Sequence, residues 1–183
     1  VINALLEKED KVIIQPPVYH PFRLIPQKNG REVVFNPLKA LPDGSYEMDF
    51  ENLEAVCDEK CRMLILSNPH NPAGIVWPRE TLKKLAEFCH SRGIIVISDE
   101  IHCDMALFGN KHIPFASVSE QAAGCSITFG APSKTFNICT KKGTHSNEQV
   151  PFIIDNQCYL IVSEYRLFFN SSLSSSQTCD RHT

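Results

Sequence analysis

Three polar segments of the chain directly follow apolar runs, and each contains side chains that can do chemistry. Residues 68–74 (NPHNPAG) follow RMLILS, residues 99–102 (DEIH) follow IIVIS, and residues 130–134 (GAPSK) follow SITF. Runs of this kind are typical of buried parallel strands, and the carboxyl ends of such strands meet at one edge of a sheet. We therefore expect an amide, a carboxylate and an amine to converge on one edge of the sheet.

Each segment taken singly also has an ordinary structural explanation. An Asn-Pro pair is usually a turn, and a lone histidine such as His102 is more often a hydrogen-bonded structural residue than an acid or base. A metal site formed by Asp99, His102 and Asp104 is disfavoured because no further ligand has suitable spacing. The order and spacing of all three segments together favour a functional site.

The rest of the pattern predicts the elements that would position these side chains. Short runs rich in Val and Ile predict strands over residues 11–15, 31–35, 62–67, 94–98 and 126–129. Asp49 is suited to cap a short helix that runs to residue 57, and a longer helix is expected from Pro78 to Gly93. Strands that alternate with helices at this spacing indicate the α/β class, with a mostly parallel central sheet flanked by helices.

Composition and charge exclude several classes of protein. The chain has 183 residues, of which 43% are hydrophobic and 21% charged, as is typical of a globular domain. Its 18 basic and 21 acidic residues give a net charge of −3, so neither a nucleic-acid surface nor a polybasic membrane contact is expected. The eight cysteines include no CxxC pair, which favours free thiols in a reducing cytosol over disulfides or a zinc site.

The pattern changes after residue 138. Residues 141–149 are polar without a clear period, and residues 171–176 contain five serines. Segments of this composition bury too little apolar surface to offset the entropy of ordering the chain. We therefore expect one domain over residues 1–138 and a poorly ordered, divergent tail over residues 139–183.

The three segments resemble the fold-type I pyridoxal-phosphate enzymes of the class I/II aminotransferase superfamily. The resemblance depends on SNPHNPAG (67–74), SDEIH (98–102) and APSKTFN (131–137), and it extends from about residue 11 to residue 138. His102 stands where ordinary aminotransferases more often have tyrosine, and with the stretch LFGNKHIPFAS (107–117) it is similar to the cystathionine β-lyase branch of C–S lyases. The resemblance implies part of the large, cofactor-binding domain of such an enzyme.

The resemblance also implies pyridoxal 5′-phosphate as the cofactor and a role for each site residue. Lys134 would bind the cofactor covalently and remove the Cα proton of the substrate, so it is the expected catalytic residue. Asp99 would keep the ring nitrogen protonated, because a carboxylate beside that nitrogen favours its charged form. Asn71 and His102 would both contact the phenolic oxygen of the ring.

Two further cofactor-binding residues follow from the same resemblance. Tyr19, in QPPVYHPF, matches the aromatic residue that stacks on the cofactor ring, although a turn tyrosine after two prolines is an alternative. Ser133 is a candidate donor to the phosphate group. Ala131 departs from the family pattern, which prefers a small hydroxyl residue or glycine at that position.

The implied activity is α,β-elimination on cystathionine or a cysteine S-conjugate, which releases a thiol, pyruvate and ammonia. Two alternatives stay open: an aminotransferase of amino acids, and an inactive remnant that binds only the cofactor or a partner subunit. Family members are longer than this chain and usually form homodimers. A truncated chain with weak activity, and a homodimer as the full-length form, are therefore the expectations.

Overall fold

The computed structural model describes residues 1–135 and 159–161 of the chain. The helices, in chain order, are α1 (Ile2–Leu5), α2 (Pro21–Lys28), α3 (Phe50–Val56), α4 (Arg79–Ser91), α5 (Glu120–Cys125) and α6 (Pro132–Thr135). The strands are β1 (Lys11–Ile14), β2 (Glu32–Phe35), β3 (Lys39–Ala40), β4 (Tyr46–Glu47), β5 (Cys61–Ser67), β6 (Ile95–Asp99), β7 (Ser126–Gly130) and β8 (Tyr159–Ile161). Two 3-10 turns, Cys103–Met105 and Phe115–Ser117, lie between β6 and α5.

The main sheet of the described chain has six strands in the order β2-β1-β5-β6-β7-β8. The first five of these strands are parallel, and β8 pairs antiparallel with β7. Helix α2 connects the parallel neighbours β1 and β2, and α4 connects β5 and β6. This arrangement confirms the predicted α/β class and the mostly parallel sheet flanked by helices.

The two faces of the sheet bury separate apolar cores, because side chains alternate along each strand. Leu64 of β5 and Val96 of β6 pack into one core together with the apolar side of α4. Ile65 and Ile97, one residue further along the same strands, pack into the other core with residues of α1 and α2. The position of a residue in β6 therefore decides which core it faces.

The predicted strands are confirmed, with small changes at their ends. Strand β6 includes Asp99, which the sequence placed in the following loop. Asp49 caps α3 as predicted, since its carboxylate accepts a hydrogen bond from the Asn52 N–H at 2.8 Å. Pro78 is the N-cap of α4 and not its first helical residue, and Gly93, with φ of +64°, follows the end of that helix.

The part of the chain after β6 differs most from expectation. Strand β7, predicted as buried, is half-buried along its whole length, and it lies between β6 and β8 in the sheet. Within the predicted tail, the structure describes only Tyr159–Ile161, which extend the sheet as β8. The domain boundary at residue 138 and the other tail residues lie outside the described part. No helix of the described residues is long and apolar enough to cross a bilayer.

Candidate active site

The candidate site lies at the carboxyl edge of the two central strands, β5 and β6. Ser67, the last residue of β5, is the register partner of Asp99, the last residue of β6. The Asn68 N–H extends this pairing by donating to the Asp99 carbonyl oxygen at 2.9 Å. The polar segments that follow the two strands therefore start side by side.

Asp99 is a mostly buried carboxyl group at the end of β6. It lines a largely apolar cavity of about 330 Å³, together with Ile97, Phe129 and residues of α1 and α2. Burial raises the pKa of the Asp99 carboxyl above its ordinary value, while the Ile101 N–H, which donates to Oδ1 at 3.2 Å, and the nearby His102 lower it. Among the described residues, no lysine or arginine forms an ion pair with Asp99. A buried carboxylate in this state is suited to pair with a cationic ring nitrogen.

Asn71 and His102 line a second cavity, a cleft of about 450 Å³. One side of the cleft is the loop after β5, and the other is the loop after β6, where Leu107 and Phe108 contribute apolar surface. The Asn71 N–H donates to the Ser67 hydroxyl oxygen at 3.0 Å, so the asparagine is held against the strand end that pairs with β6. The amide and the imidazole therefore share a cleft, and a contact of both with one oxygen atom stays a prediction.

Tyr19 is tied to the same loop through its backbone. Its N–H donates to the Asn71 carbonyl oxygen at 3.0 Å. The Tyr19 ring packs edge-on against Phe22, with the ring centroids 5.8 Å apart, and the residue is 50% exposed. This exposure leaves part of the ring available for stacking on a ligand, and the stacking role stays a prediction.

His70 and Trp77 fix the loop that carries Asn71, and sequence analysis gave neither a role. The His70 Nε2 atom donates to the Pro17 carbonyl oxygen at 2.8 Å, which joins the loops after β1 and β5. The His70 ring packs edge-on against Trp77, whose Nε1 donates to the Ser67 carbonyl oxygen at 2.9 Å. Burial lowers the pKa of the His70 imidazole below its ordinary value, so the ring is neutral in the folded protein at neutral pH.

Folding stability is expected to decrease as the pH falls below about 6.5, and His70 contributes to this decrease. The unfolded chain takes up a proton at His70 near the ordinary pKa, whereas the buried ring binds one only at lower pH. A His70→Gln variant keeps a donor for Pro17 and should lose less stability than the wild type between about pH 7 and pH 5. Urea unfolding over this range measures the effect, with the exposed His90 changed to glutamine as control. Parallel curves for wild type and His70→Gln would contradict the assignment.

Lys134 lies in α6, the short helix that follows β7, and its side chain is exposed. The neighbouring Thr135 hydroxyl donates to Asp104 Oδ2 at 2.8 Å. This bond joins α6 to the 3-10 turn Cys103–Met105, whose N-cap is His102. The segments that carry the amine and the imidazole are therefore in direct contact. Ser133 precedes Lys134 in α6, and its contact with a phosphate group stays a prediction.

The structure brings the predicted residues to one edge of the sheet, but not into one cavity. Asn71 and His102 share the cleft, while Asp99 lines the apolar cavity on the other side of the strand ends. Tyr19 and Lys134 lie outside the described lining of both cavities. Hydrogen bonds and strand pairing connect these groups, and the roles assigned to them by resemblance stay predictions.

Glu100 lies in the DEIH segment, yet the sequence analysis assigned it no role. Because side chains alternate along a strand, Asp99 follows Ile97 on one face, whereas Glu100 turns to the face of Ser98. Glu100 is 5% exposed, and the Ser98 hydroxyl donates to its Oε1 at 3.0 Å. Alternate residues of a strand face opposite sides of the sheet, so the sequence already indicated that Asp99 and Glu100 face different sides.

The chain is similar to a known protein family and to proteins of known activity. Residues 1–140 match the family described as aminotransferase class I and II. The chain is 51% identical over 138 residues to cystathionine beta-lyase PatB of Bacillus subtilis, and the match covers 75% of this chain and 35% of that protein.

Two solved structures show the same fold. Cystalysin from Treponema denticola, which contains pyridoxal 5′-phosphate, is 38% identical with a TM-score of 0.72, over 75% of this chain and 35% of that one. The PLP-bound C–S lyase from Staphylococcus hominis is also 38% identical with a TM-score of 0.68, over 74% of this chain and 34% of that one. The chain thus spans about a third of the length of the relatives it matches.

Proposed function

Because the chain belongs to the aminotransferase class I and II family, we propose that it is part of the cofactor-binding domain of a pyridoxal-phosphate-dependent C–S β-lyase. The observation that carries this proposal is the sequence identity, above one half, with a cystathionine beta-lyase. The substrate class would be cystathionine and related cysteine S-conjugates. The residues at the carboxyl edge of the sheet support the proposal through their chemistry.

The charged and polar groups at this edge are of the chemical types that pyridoxal phosphate requires. When bound, the cofactor supplies an electron sink for negative charge at the substrate Cα, provided that its ring nitrogen keeps a proton. Asp99 would hold that proton by charge pairing, since it is buried and has no cationic partner among the described residues. Asn71 and His102, on the neighbouring cleft, would donate to the phenolic oxygen.

Lys134 is the proposed covalent anchor of the cofactor and the proposed base. An amine must be neutral to attack the cofactor aldehyde or to take a proton. The exposed position of Lys134 on α6 leaves its amine free to approach a ligand at the strand ends. Tyr19 would stack on the ring, and Ser133 would donate to the phosphate.

The proposed reaction breaks two bonds of the substrate. The Cα–H bond breaks as its proton moves to the Lys134 amine, and the Cβ–S bond breaks as its electron pair leaves with sulfur. The sulfur takes up a proton and leaves as a thiol, which is homocysteine when the substrate is cystathionine. The remaining three-carbon enamine reacts with water and yields pyruvate and ammonia. Water is therefore the only co-reactant.

Pyruvate release from cystathionine tests this function directly. The purified chain with pyridoxal phosphate should form thiol and pyruvate in equal amounts, and the same sample without cofactor should form neither. Coupling to lactate dehydrogenase measures pyruvate, and a thiol reagent measures homocysteine. Amino transfer to an added keto acid without thiol release would instead support an aminotransferase. Cofactor binding with neither product would contradict the lyase assignment.

The proposed setting is the cytosol, and the proposed full-length form is a homodimer. All five cysteines in the described part of the chain are free thiols, which supports a reducing compartment. Leu107 and Phe108, beside the cleft, are 63% and 98% exposed. Apolar surface of this kind next to a site supports a subunit contact there.

A further inference from the structure

Glu100 and His112 form a hydrogen-bonded pair behind the loop that borders the cleft. The His112 Nε2 atom lies 2.7 Å from Glu100 Oε2, and the two side chains are only 10% and 6% exposed. Because a carboxylate oxygen accepts, the imidazole donates from Nε2. The pair brings together two residues that are twelve positions apart and thereby closes the intervening loop at its base.

The other oxygen of Glu100 holds the chain just beyond His112. Glu100 Oε1 accepts from the Ser98 hydroxyl at 3.0 Å and from the Phe115 N–H at 2.8 Å. Phe115 itself is fully buried in the core on the α4 face of the sheet. Both oxygens of Glu100 are therefore occupied, and the loop is held at both of its ends.

The loop held in this way forms one side of the cleft. His102, Leu107 and Phe108 lie between the two residues of the pair and line the cleft. The Asn68 Nδ2 atom donates to the Ile113 carbonyl oxygen at 3.0 Å, which ties the end of the loop to the opposite side of the cleft. The tip of the loop, in contrast, is exposed at Leu107 and Phe108, so its position depends on the contacts at its base.

We propose that Glu100 and His112 are positioning residues that hold this loop, and with it His102, in the arrangement that binds the cofactor. This inference rests on the proposed function, because the ligand is taken to be pyridoxal phosphate. Neither residue lines the cleft, so they act on the ligand through the loop. A loop fixed before binding gives up less conformational freedom when the ligand arrives, and this increases affinity.

Hydrogen–deuterium exchange of the cofactor-free chain tests the loop without any ligand. His112→Ala should speed exchange of the amides of residues 101–113 by about tenfold or more, with much smaller changes in β1 and β5. His112→Gln keeps a side-chain donor for Glu100 and should restore most of the protection. His90→Ala, at an exposed position of α4, is the matched control and should behave as wild type. Unchanged loop exchange, or an increase spread evenly over the sheet, would overturn the proposal.

Titration with pyridoxal phosphate tests the link to binding. His112→Ala should raise the dissociation constant by about tenfold, and His112→Gln should return it close to the wild-type value. Wild-type affinity in His112→Ala, or no rescue by glutamine, would overturn the positioning role. If the wild-type chain binds no pyridoxal phosphate, the proposed function fails, while the exchange experiment still decides whether the pair holds the loop.

Discussion

Replacing Lys134 with alanine is expected to abolish the visible absorbance that pyridoxal phosphate acquires when it binds a protein covalently through an amine. The methyl group of alanine has neither a nucleophile for the cofactor aldehyde nor a base for the Cα proton. Pyruvate release from cystathionine should fall by about 10²–10⁴-fold, the range that a general acid–base group contributes. Absorbance spectra of the chain titrated with the cofactor, followed by the coupled pyruvate assay, measure both effects.

Two further variants test whether the loss of the visible absorbance is specific to the amine of Lys134. Lys134→Arg keeps a positive charge at the position but should also lack the visible band, since a guanidinium is not a nucleophile at neutral pH. Lys83→Ala removes an exposed lysine of α4, far along the chain from the site, and should bind as wild type. A visible band that persists in Lys134→Ala would show that another amine carries the cofactor. Both the catalytic assignment and the resemblance at the 131–137 segment would then be wrong.

Replacing Asp99 with asparagine is expected to weaken cofactor binding and to stabilise the cofactor-free protein. A hydrogen bond to a charged group contributes about 1.5–3 kcal/mol, so the dissociation constant of pyridoxal phosphate should rise by about 10–150-fold. The opposite effect on folding arises because burial raises the pKa of this carboxyl above its unfolded value. The free energy of unfolding therefore falls as the pH rises through the folded-state pKa, and asparagine removes this loss.

The pH dependence of the difference in melting temperature between variant and wild type distinguishes the burial of the Asp99 carboxylate from a stabilisation that is the same at every pH. Thermal unfolding of the cofactor-free Asp99→Asn variant should show a higher melting temperature than wild type at neutral pH. The difference should shrink as the pH falls toward about 3, below the ordinary pKa of an aspartate, where the wild-type carboxyl is protonated in both states. Glu87→Gln, an exposed change on α4, is the control and should show no such trend. A variant less stable than wild type at neutral pH would contradict the burial penalty.

The adjacent carboxylates Asp99 and Glu100 illustrate how function and stability divide between neighbouring residues. Glu100 accepts three hydrogen bonds on its side of the sheet, whereas Asp99 accepts one, from the Ile101 N–H. A buried carboxylate that accepts few hydrogen bonds destabilises the cofactor-free fold. Destabilisation of this kind is typical of residues whose role is to bind a ligand. The Glu100 carboxylate, whose two oxygens both accept hydrogen bonds, instead stabilises the loop beside the cleft.

The fold class and the order of the polar segments follow from local patterns in the sequence. Apolar runs such as RMLILS and IIVIS, bounded by turn residues, are typical of central parallel strands that are buried on both faces, and β5 and β6 occupy that place. The segments after these strands could be assigned to one edge, because parallel strands end on the same side of a sheet. The Asp49 cap was equally local, since its partner Asn52 lies three residues away.

Which of these side chains share a cavity depends on how the strand ends and loops are arranged in three dimensions. Asp99 and His102 are three residues apart, yet the aspartate lines the apolar cavity beside α1 and α2, whereas the histidine lines the cleft. The contact of His70 with Pro17 joins two loops, and the contact of Glu100 with His112 joins the two ends of one loop. Neither contact has a local signal in the sequence. Period and composition report on neighbours along the chain, whereas contacts between loops depend on how the strands are ordered in the sheet.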